Sequence, residues 1–334
     1  MTQRSRLRIA YFPFTNDGNR YTDNFKKILA QFGDIAEAPP LKKLFGKAAF
    51  TRFDVLILNW SDNSFINRRT GGISPLGVVK EFVRIGIYKL LARKTVFVRH
   101  NMYPHDATGP HRATASRIIA RYERCFDLCW VHSGHLAEDW RQYVPHPLYE
   151  VENGDSGIDR LALPSHYFVV FGRLLSYKKI ERLLEILPPD LHVVVCGSCP
   201  DPAYRDLLKQ HACSNVTLLA EFIPDALARD LIMRSDGMLI CHAEDDMIVS
   251  GSIVYAISLG IPVFAMETAF VHWFRENVND RMVLATRDFH DMIAQMRQHR
   301  FELDDADVKT AQAHFSDSAV TKSVARTFNR LGLL

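Results

Sequence analysis

Two segments pair cations or bare backbone with a helix start, the combination that handling a diphosphate requires. In FGRLLSYKK, residues 171–179, Gly172 permits a tight exit from an apolar run. Arg173 and Lys178 can then close on a diphosphate from one side, with Lys179 adding charge. In EDDMIVSGSIVYAISLGIPVF, residues 244–264, Ser250-Gly251-Ser252 opens a helical stretch ending at Gly260. Its free N–H groups and positive dipole end would seat an anion, and the glycine lets a phosphate come close. A basic loop is also ordinary surface, and Ser-Gly-Ser is also an ordinary N-cap. What joins them is that they follow different strands of one inferred sheet. A weaker signal is Gly197-Ser198 after HVVVC, where backbone could face a base or ribose.

These segments depend on a regular alternation of short β-branched runs with amphipathic stretches, the sequence form of parallel α/β domains. Strands are expected at Leu7–Phe12, Val55–Trp60, Thr95–His100 and Leu128–His132, with helices near Tyr21–Phe32, Leu76–Leu91 and Arg112–Phe126. After LALPSHY a second set begins, with strands at Tyr167–Phe171, His192–Cys196, Val216–Leu218, Met238–Cys241 and Val263–Ala265. Its helices are expected near Ile180–Leu187, Ala203–His211, Asp225–Ser235 and Ser252–Leu259. Two successive Rossmann-like units follow, 1–160 and 161–316, with the boundary near 157–166. A last helix over 317–334 carries Val320, Val324, Phe328 and Leu331 on one face. In open sheets of this kind ligands collect at the carboxyl ends of the strands, where both basic and glycine-bearing loops fall.

A length of 334 residues suits two domains better than one core. No apolar run reaches the roughly 18 to 20 residues of a spanning helix, and MTQRSRLRIAYF lacks a cleavable leader pattern, so a cytoplasmic protein is expected. The net charge of +3 hides an asymmetry: residues 1–160 hold 24 Lys and Arg against 16 Asp and Glu, and the remainder holds 17 against 22. The first half is thus fitted to an anionic partner, or simply has a solvated basic face. Between Gly77 and Arg99, Lys80, Arg84, Lys89, Arg93 and Lys94 interleave with Val79, Phe82, Val83, Ile87, Leu90 and Leu91. Such a stretch can lie on an anionic membrane leaflet, or its apolar side can pack on the sheet. Six cysteines are too sparse for a disulfide scaffold, and Cys196-Gly-Ser-Cys199 lacks the partners of a zinc site, which leaves buried strand-end thiols.

The same residues resemble GT-B glycosyltransferases. FGRLLSYKKIERLLEIL is similar to their strand, Gly-Arg, short loop, Lys-Gly, helix segment, and SGSIVYAISLGIPVFA to their donor-site helix and following strand. VFVRHNMYPHD, 96–106, and VLILNWSDN, 55–63, resemble acceptor-domain elements of bacterial exopolysaccharide enzymes, namely the xanthan-type β-mannosyltransferase and GT4-like relatives. The resemblance implies two Rossmann-like domains facing a cleft, with the terminal helix crossing back to the first. It implies a UDP- or GDP-sugar donor held by Gly172, Arg173, Lys178, Ser250, Gly251 and Ser252, and a lipid-pyrophosphate-linked saccharide acceptor. His100 would lie near the transferred sugar, with Asn101 and His105 beside it; Asn16, Asp17, Gly18, Asn19, Arg20 and Tyr21 would line the acceptor mouth. Two departures stand out. Many retaining members carry two glutamates eight positions apart, and Met247 and Tyr255 occupy those positions here, so the donor contact passes to Tyr255 and the neighbouring Asp246. Lys179 stands where a glycine is usual.

Sugar transfer needs stabilisation of charge on the departing diphosphate, which Arg173, Lys178 and the helix amides suit. If the reaction inverts, Asp106 is the first choice as general base and Asp17 the second, with His100 as base or sugar ligand. The alternatives are an N-cap for Asp106 and a hydrogen-bonded core histidine for His100. Glu244-Asp245-Asp246 invites a metal, but a basic clamp between two Rossmann-like halves needs no bridging cation; no metal or cofactor is expected. Competing functions are a nucleotide-sugar epimerase of GT-B-like fold, which needs carboxylates not identified here, and a non-catalytic nucleotide- or nucleic-acid-binding protein, for which no aromatic-basic platform is found. No GxGxxG follows the first strand, which disfavours a dinucleotide oxidoreductase.

Overall fold

The computed structural model describes residues 6–16, 20–40, 52–151, 154–242, 248–298 and 303–334. The chain folds as two compact units. The first comprises the residues up to Pro147 together with Phe315–Leu334; the second holds Leu148 to His314 apart from a short stretch that includes Ile248 and Val249. Residues 148–160 group with the second unit.

The first unit contains β1 (Leu7–Phe12), α1 (Tyr21–Leu29), β2 (Gly33–Glu37), β3 (Phe53–Asn59), α2 (Pro75–Leu91), β4 (Ala92–Arg99), α3 (His111–Tyr122), β5 (Leu128–Val131) and β6 (Arg141–Tyr143). The second contains β7 (Phe168–Phe171), α4 (Ile180–Ile186), β8 (Val193–Cys196), α5 (Pro202–His211), β9 (Val216–Leu219), α6 (Asp225–Met233), β10 (Gly237–Ile240), α7 (Gly251–Leu259), β11 (Val263–Met266), α8 (Ala269–Asn277), β12 (Val283–Thr286), α9 (Phe289–Gln298) and α10 (Asp305–Phe315). The last helix, α11 (Asp317–Arg330), belongs to the first unit.

Each unit has one six-stranded sheet, in the orders β2-β1-β3-β4-β5-β6 and β12-β11-β10-β7-β8-β9, with all pairings parallel. Parallel strands need crossover helices on both faces, which is why the central strands read as continuous apolar runs such as VLIL and VVVC. Chain order reverses between β1 and β3 in one sheet and between β7 and β10 in the other. Such reversals open the crevices that admit ligands.

In the first sheet, one face carries Val55, Ile57, Val96 and Val98 against Phe25 and Ile28 of α1 and Val320, Val324 and Phe328 of α11. Trp130 Nε1 donates to Thr327 Oγ1 at 3.1 Å on that side. The other face packs Leu56, Leu58 and Phe97 against Ile85, Tyr88, Ile119 and Tyr122 of α2 and α3. Helix α2 is capped by Ser74, whose hydroxyl accepts from the Gly77 N–H at 3.2 Å. Gly77 is required by close packing, since a Cβ there would stand 1.8 Å from the Ser64 carbonyl oxygen in the 3₁₀ turn Ser61–Phe65.

Strands β2, β6 and β12 and helices α8 to α10 were not anticipated. GDIAE and RQY are short, largely polar edge segments that carry no alternation to detect.

Candidate functional site

At the carboxyl end of β7 the chain turns through Gly172 at φ +113°, and at the end of β8 through Gly197 at φ +135°, backbone that side-chain-bearing residues rarely adopt. The two exits touch: a Cβ on Gly197 would stand 2.0 Å from the Gly172 carbonyl oxygen, and the Leu174 N–H donates to the Ser198 carbonyl at 2.9 Å. Gly197 and Ser198 thus shape the loop that follows Gly172.

Two side chains converge on Gly172. A Cβ built there would lie 3.3 Å from Lys178 Nζ and 3.5 Å from Ser252 Oγ. Lys178 ends a 3₁₀ turn, Ser176–Lys178. It is half-buried, and burial lowers its ammonium pKa to about 8, with the Arg173 guanidinium adding to the fall. Ser252 lies in the first turn of α7 and donates to the Phe171 carbonyl at 3.5 Å, while the buried Ser250 caps that helix, accepting from the Ile253 N–H at 3.4 Å. The N-cap alternative for Ser250 is thus what the helix start shows. Gly251 opens onto the Tyr149 hydroxyl, 3.1 Å from where its Cβ would be. Tyr255, one turn on, packs against Phe171 and Tyr149 with ring centroids 5.4 and 5.6 Å away. Arg173 is exposed. Asp246 and the rest of Glu244-Asp245-Asp246 lie outside the described residues.

The thiols of Cys196 and Cys241 neighbour Lys178, and burial pushes both up to about 12, so they stay neutral. All six cysteines are free, and no cluster of His, Cys, Asp or Glu among the described residues could hold a metal ion.

Lys179 occupies the left-handed region at φ +54° and serves as the N-terminal flank of α4, so the position does turn as a glycine would. An L-residue there costs about 1–2 kcal/mol, part of which glycine's greater unfolded entropy offsets. Lys179→Gly is expected to raise stability by up to about 1 kcal/mol, read as a higher thermal midpoint; a lower midpoint would show that the Lys179 side chain outweighs its backbone strain.

The first unit assembles a second group at the carboxyl ends of β3, β4 and β5. His100 directly follows β4, stacks on Trp60 at 4.0 Å and 18°, and meets the Tyr21 ring edge-on at 4.9 Å. His100 Nε2–H donates to Asn59 Oδ1 at 3.0 Å, an orientation set by the Asn59 amide donating to the Phe12 carbonyl at 3.0 Å. His132 follows β5: its Nδ1–H donates to the Val144 carbonyl at 2.8 Å, and its Nε2 accepts from the Tyr21 hydroxyl at 2.8 Å. His146 packs on Tyr21 and donates from Nδ1 to the Pro147 carbonyl at 2.7 Å. Burial lowers all three rings, His132 to about 4, His146 to about 3 and His100 well below the ordinary value. At neutral pH they are uncharged. His100, its Nε2 protonated, keeps an unprotonated Nδ1 that can accept a hydroxyl hydrogen bond.

Of the residues anticipated here, His100 and Tyr21 come together. Asn101 is buried beside them and its carbonyl accepts from Arg99 Nε at 3.2 Å; Arg99 also donates to the Met102 carbonyl, at 3.2 Å. Arg99 is in turn held by the buried Glu123, at 3.1 Å, and Glu123 accepts from Arg141 at 2.6 Å. This ion-pair group fixes the loop that carries His100. Asn16 and Arg20 are half-buried at either side of Asp17, Gly18 and Asn19, which lie outside the described residues. His105 and Asp106 are exposed, and Asp106 pairs with Arg68 at 3.6 Å. Asp106 is not an N-cap: α3 begins at His111 after Pro110.

Sequence reasoning passed over Asp62, Trp60, His132 and His146. Asp62 is buried two residues after Trp60, and burial pushes its carboxyl up to about 6, with Glu81 adding to the rise against the pull of Arg99. His132 carried a usable signal, a histidine directly after an apolar strand, whereas nothing near His146 marks it.

No family model matches the chain, and no curated protein does. Solved structures do. Anabaena Alr3699/HepE in complex with UDP superimposes with a TM-score of 0.63 at 13% identity, over 97% of this chain and 100% of that one. Sucrose-phosphate synthase (tll1590) from Thermosynechococcus elongatus gives 0.68 at 13% identity, over 98% and 99%. The E. coli trehalose-6-phosphate protein bound with UDP-2-fluoro glucose gives 0.60 at 10% identity, over 99% of each. The chain therefore has the two-domain GT-B fold.

Proposed function

We propose that this chain is a glycosyltransferase that moves a hexose or hexuronic acid from a UDP- or GDP-sugar to a lipid-pyrophosphate-linked saccharide in bacterial exopolysaccharide assembly. The observation that carries the reading is the convergence of Lys178 and Ser252 on the bare backbone of Gly172, at the point where strand order reverses. A cation, free helix amides and a residue without a side chain meet there, which fits a diphosphate. Several of the similar structures are complexes with UDP, UDP-glucose or UDP-2-fluoro glucose, which supports a nucleotide-sugar donor.

In this reading the acceptor hydroxyl oxygen attacks the anomeric carbon as the bond to the diphosphate breaks, and the electron pair leaves on the diphosphate oxygen. Lys178, Arg173 and the α7 amides neutralise that charge, with no bridging cation. Tyr255 and Phe171 form an aromatic wall beside the site, and His100 Nδ1 accepts from a sugar hydroxyl. The acceptor proton goes to a carboxylate of the first unit. The candidates are the exposed, Arg68-paired Asp106 and, buried two residues after Trp60 with its carboxyl pushed up to about 6, Asp62.

Asp62→Asn is expected to lower turnover about 10²- to 10⁴-fold, and Asp106→Asn less than about tenfold. The reverse ranking returns the role to Asp106, and full turnover in both removes it from either.

No helix among the described residues is long and apolar enough to cross a membrane. A lipid-linked acceptor and the basic first half both support a position at the inner face of the cytoplasmic membrane. The test is incubation with UDP- and GDP-hexoses, with and without a detergent-solubilised lipid-pyrophosphate saccharide, in the presence of a chelator. Nucleotide release that requires acceptor supports transfer. A free epimerised sugar without acceptor supports the epimerase instead, and donor binding without any turnover supports a non-catalytic binder.

A further inference from the structure

Helix α2 buries one side and leaves the other uncovered. Glu81, Ile85, Tyr88 and Leu91 face inward, whereas Leu76 is 80% exposed, Val79 59%, Val83 52% and Leu90 79%. At 3.6 residues per turn these four positions and Gly86 share an arc of about 80°. The stripe is therefore continuous along the helix, not a scatter of single apolar residues. Its borders are cationic: Lys80 lies on one side of the arc and Lys89 on the other, both exposed. The one carboxylate in α2, Glu81, is turned inward and paired with Arg84 at 3.1 Å. The uncovered face thus carries apolar side chains and positive charge without negative charge, which matches an anionic bilayer surface.

We infer that the Leu76–Val79–Val83–Leu90 face of α2 docks flat on a bilayer containing anionic lipid, with Lys80 and Lys89 at headgroup level. The inference names the surface for the membrane association proposed above, and so rests on that reading. It also sets a distance. The inner side of α2 touches the Ser61–Phe65 turn through Gly77, and that turn carries Asp62. Docking would hold Asp62, buried beneath the helix, about one helix diameter, roughly 10 Å, from the lipid surface.

Flotation of the full chain with vesicles of phosphatidylcholine, with and without phosphatidylglycerol, tests the surface in the absence of donor and acceptor. Binding is expected to vesicles containing phosphatidylglycerol. It should weaken about tenfold in Leu76→Ser/Leu90→Ser, which alters only exposed side chains. Lys80→Glu/Lys89→Glu should weaken it by about fivefold per lost cation. Gly86→Leu should strengthen it, since a Cβ at Gly86 meets nothing within 4 Å and extends the stripe. Circular dichroism checks that each variant is folded. No binding to anionic vesicles, or binding unchanged in the double serine variant, overturns the inference. A dimer that the same variant dissolves on size exclusion would also overturn it, assigning the face to self-association. Because the transfer assay uses solubilised acceptor, loss of vesicle binding leaves the glycosyltransferase reading standing, and loss of transfer leaves the docking face standing.

Discussion

Lys178→Ala is expected to weaken binding of a nucleoside diphosphate by about 10- to 150-fold, the range for losing one charged hydrogen bond in a desolvated site. Turnover should fall further, by about 10²- to 10³-fold, because the cation acts most strongly on the charge that develops as the diphosphate leaves. Folding should be spared. The ammonium is partly desolvated in the free protein, its pKa lowered to about 8, so removing it relieves a cost. Titration calorimetry with UDP and GDP, read beside the thermal midpoint, separates the effects: weaker binding with an equal or higher midpoint is the expected pair. Unchanged affinity would remove Lys178 from the donor site. A pH series adds a sign. Only the protonated amine attracts the diphosphate, so affinity in the native protein should decline as pH rises through about 8, and this decline should vanish in Lys178→Ala. Arg173→Ala, at an exposed position, should show a smaller loss.

Glu123→Gln is expected to cost about 3–5 kcal/mol, the penalty for breaking a buried ion pair by removing one partner. Glu123 is fully buried and receives both Arg99 and Arg141, so the neutral amide leaves two guanidinium groups without their shared countercharge. Three of the four tryptophans, Trp60, Trp130 and Trp140, lie in the first unit, so tryptophan fluorescence during urea unfolding reports chiefly on the damage there. A midpoint within error of the native protein would contradict the assignment of Glu123 as the anchor of Arg99. Since Arg99 also holds the Asn101 and Met102 carbonyls, the substitution should loosen the backbone beside His100 as well.

The Gly172–Lys178–Ser252 group, the proposed donor site, was legible because its parts are contiguous in sequence: a strand, a glycine, a basic loop and a helix start are each local features. Gly172, Lys178 and Ser250–Ser252 could therefore be named before their convergence was visible. The aromatic and histidine group of the first unit was not, because it is assembled by topology. Tyr21, Trp60, His100, His132 and His146 come from separate segments that parallel crossovers bring to the carboxyl end of one sheet, and no spacing in the chain records that. Asp62 escaped notice because an aspartate in a polar turn looks solvated; the turn is buried against α2, and the charges of Glu81 and Arg99 that act on Asp62 are remote in sequence. In α2 the basic and apolar residues were legible, but their division was not: Phe82, Ile87 and Leu91 pack against the sheet, while Leu76 and Leu90 remain uncovered. Lys179 shows the opposite case. The loss of the usual glycine was visible, yet the backbone keeps the left-handed turn and tolerates the side chain.

The position of α11 has a consequence for the order in which the protein is made. Val320, Val324 and Phe328 complete the face of the first sheet that α1 only partly covers, so residues near position 25 wait for partners near position 325. During synthesis the second unit, whose segments are nearly all close in sequence, can close on itself first. The first unit, begun earliest, must stay unfinished with Trp130 and Phe25 awaiting cover until α11 emerges from the ribosome. The nascent chain is then most exposed to aggregation and to chaperones over the interval in which the second unit is already folded.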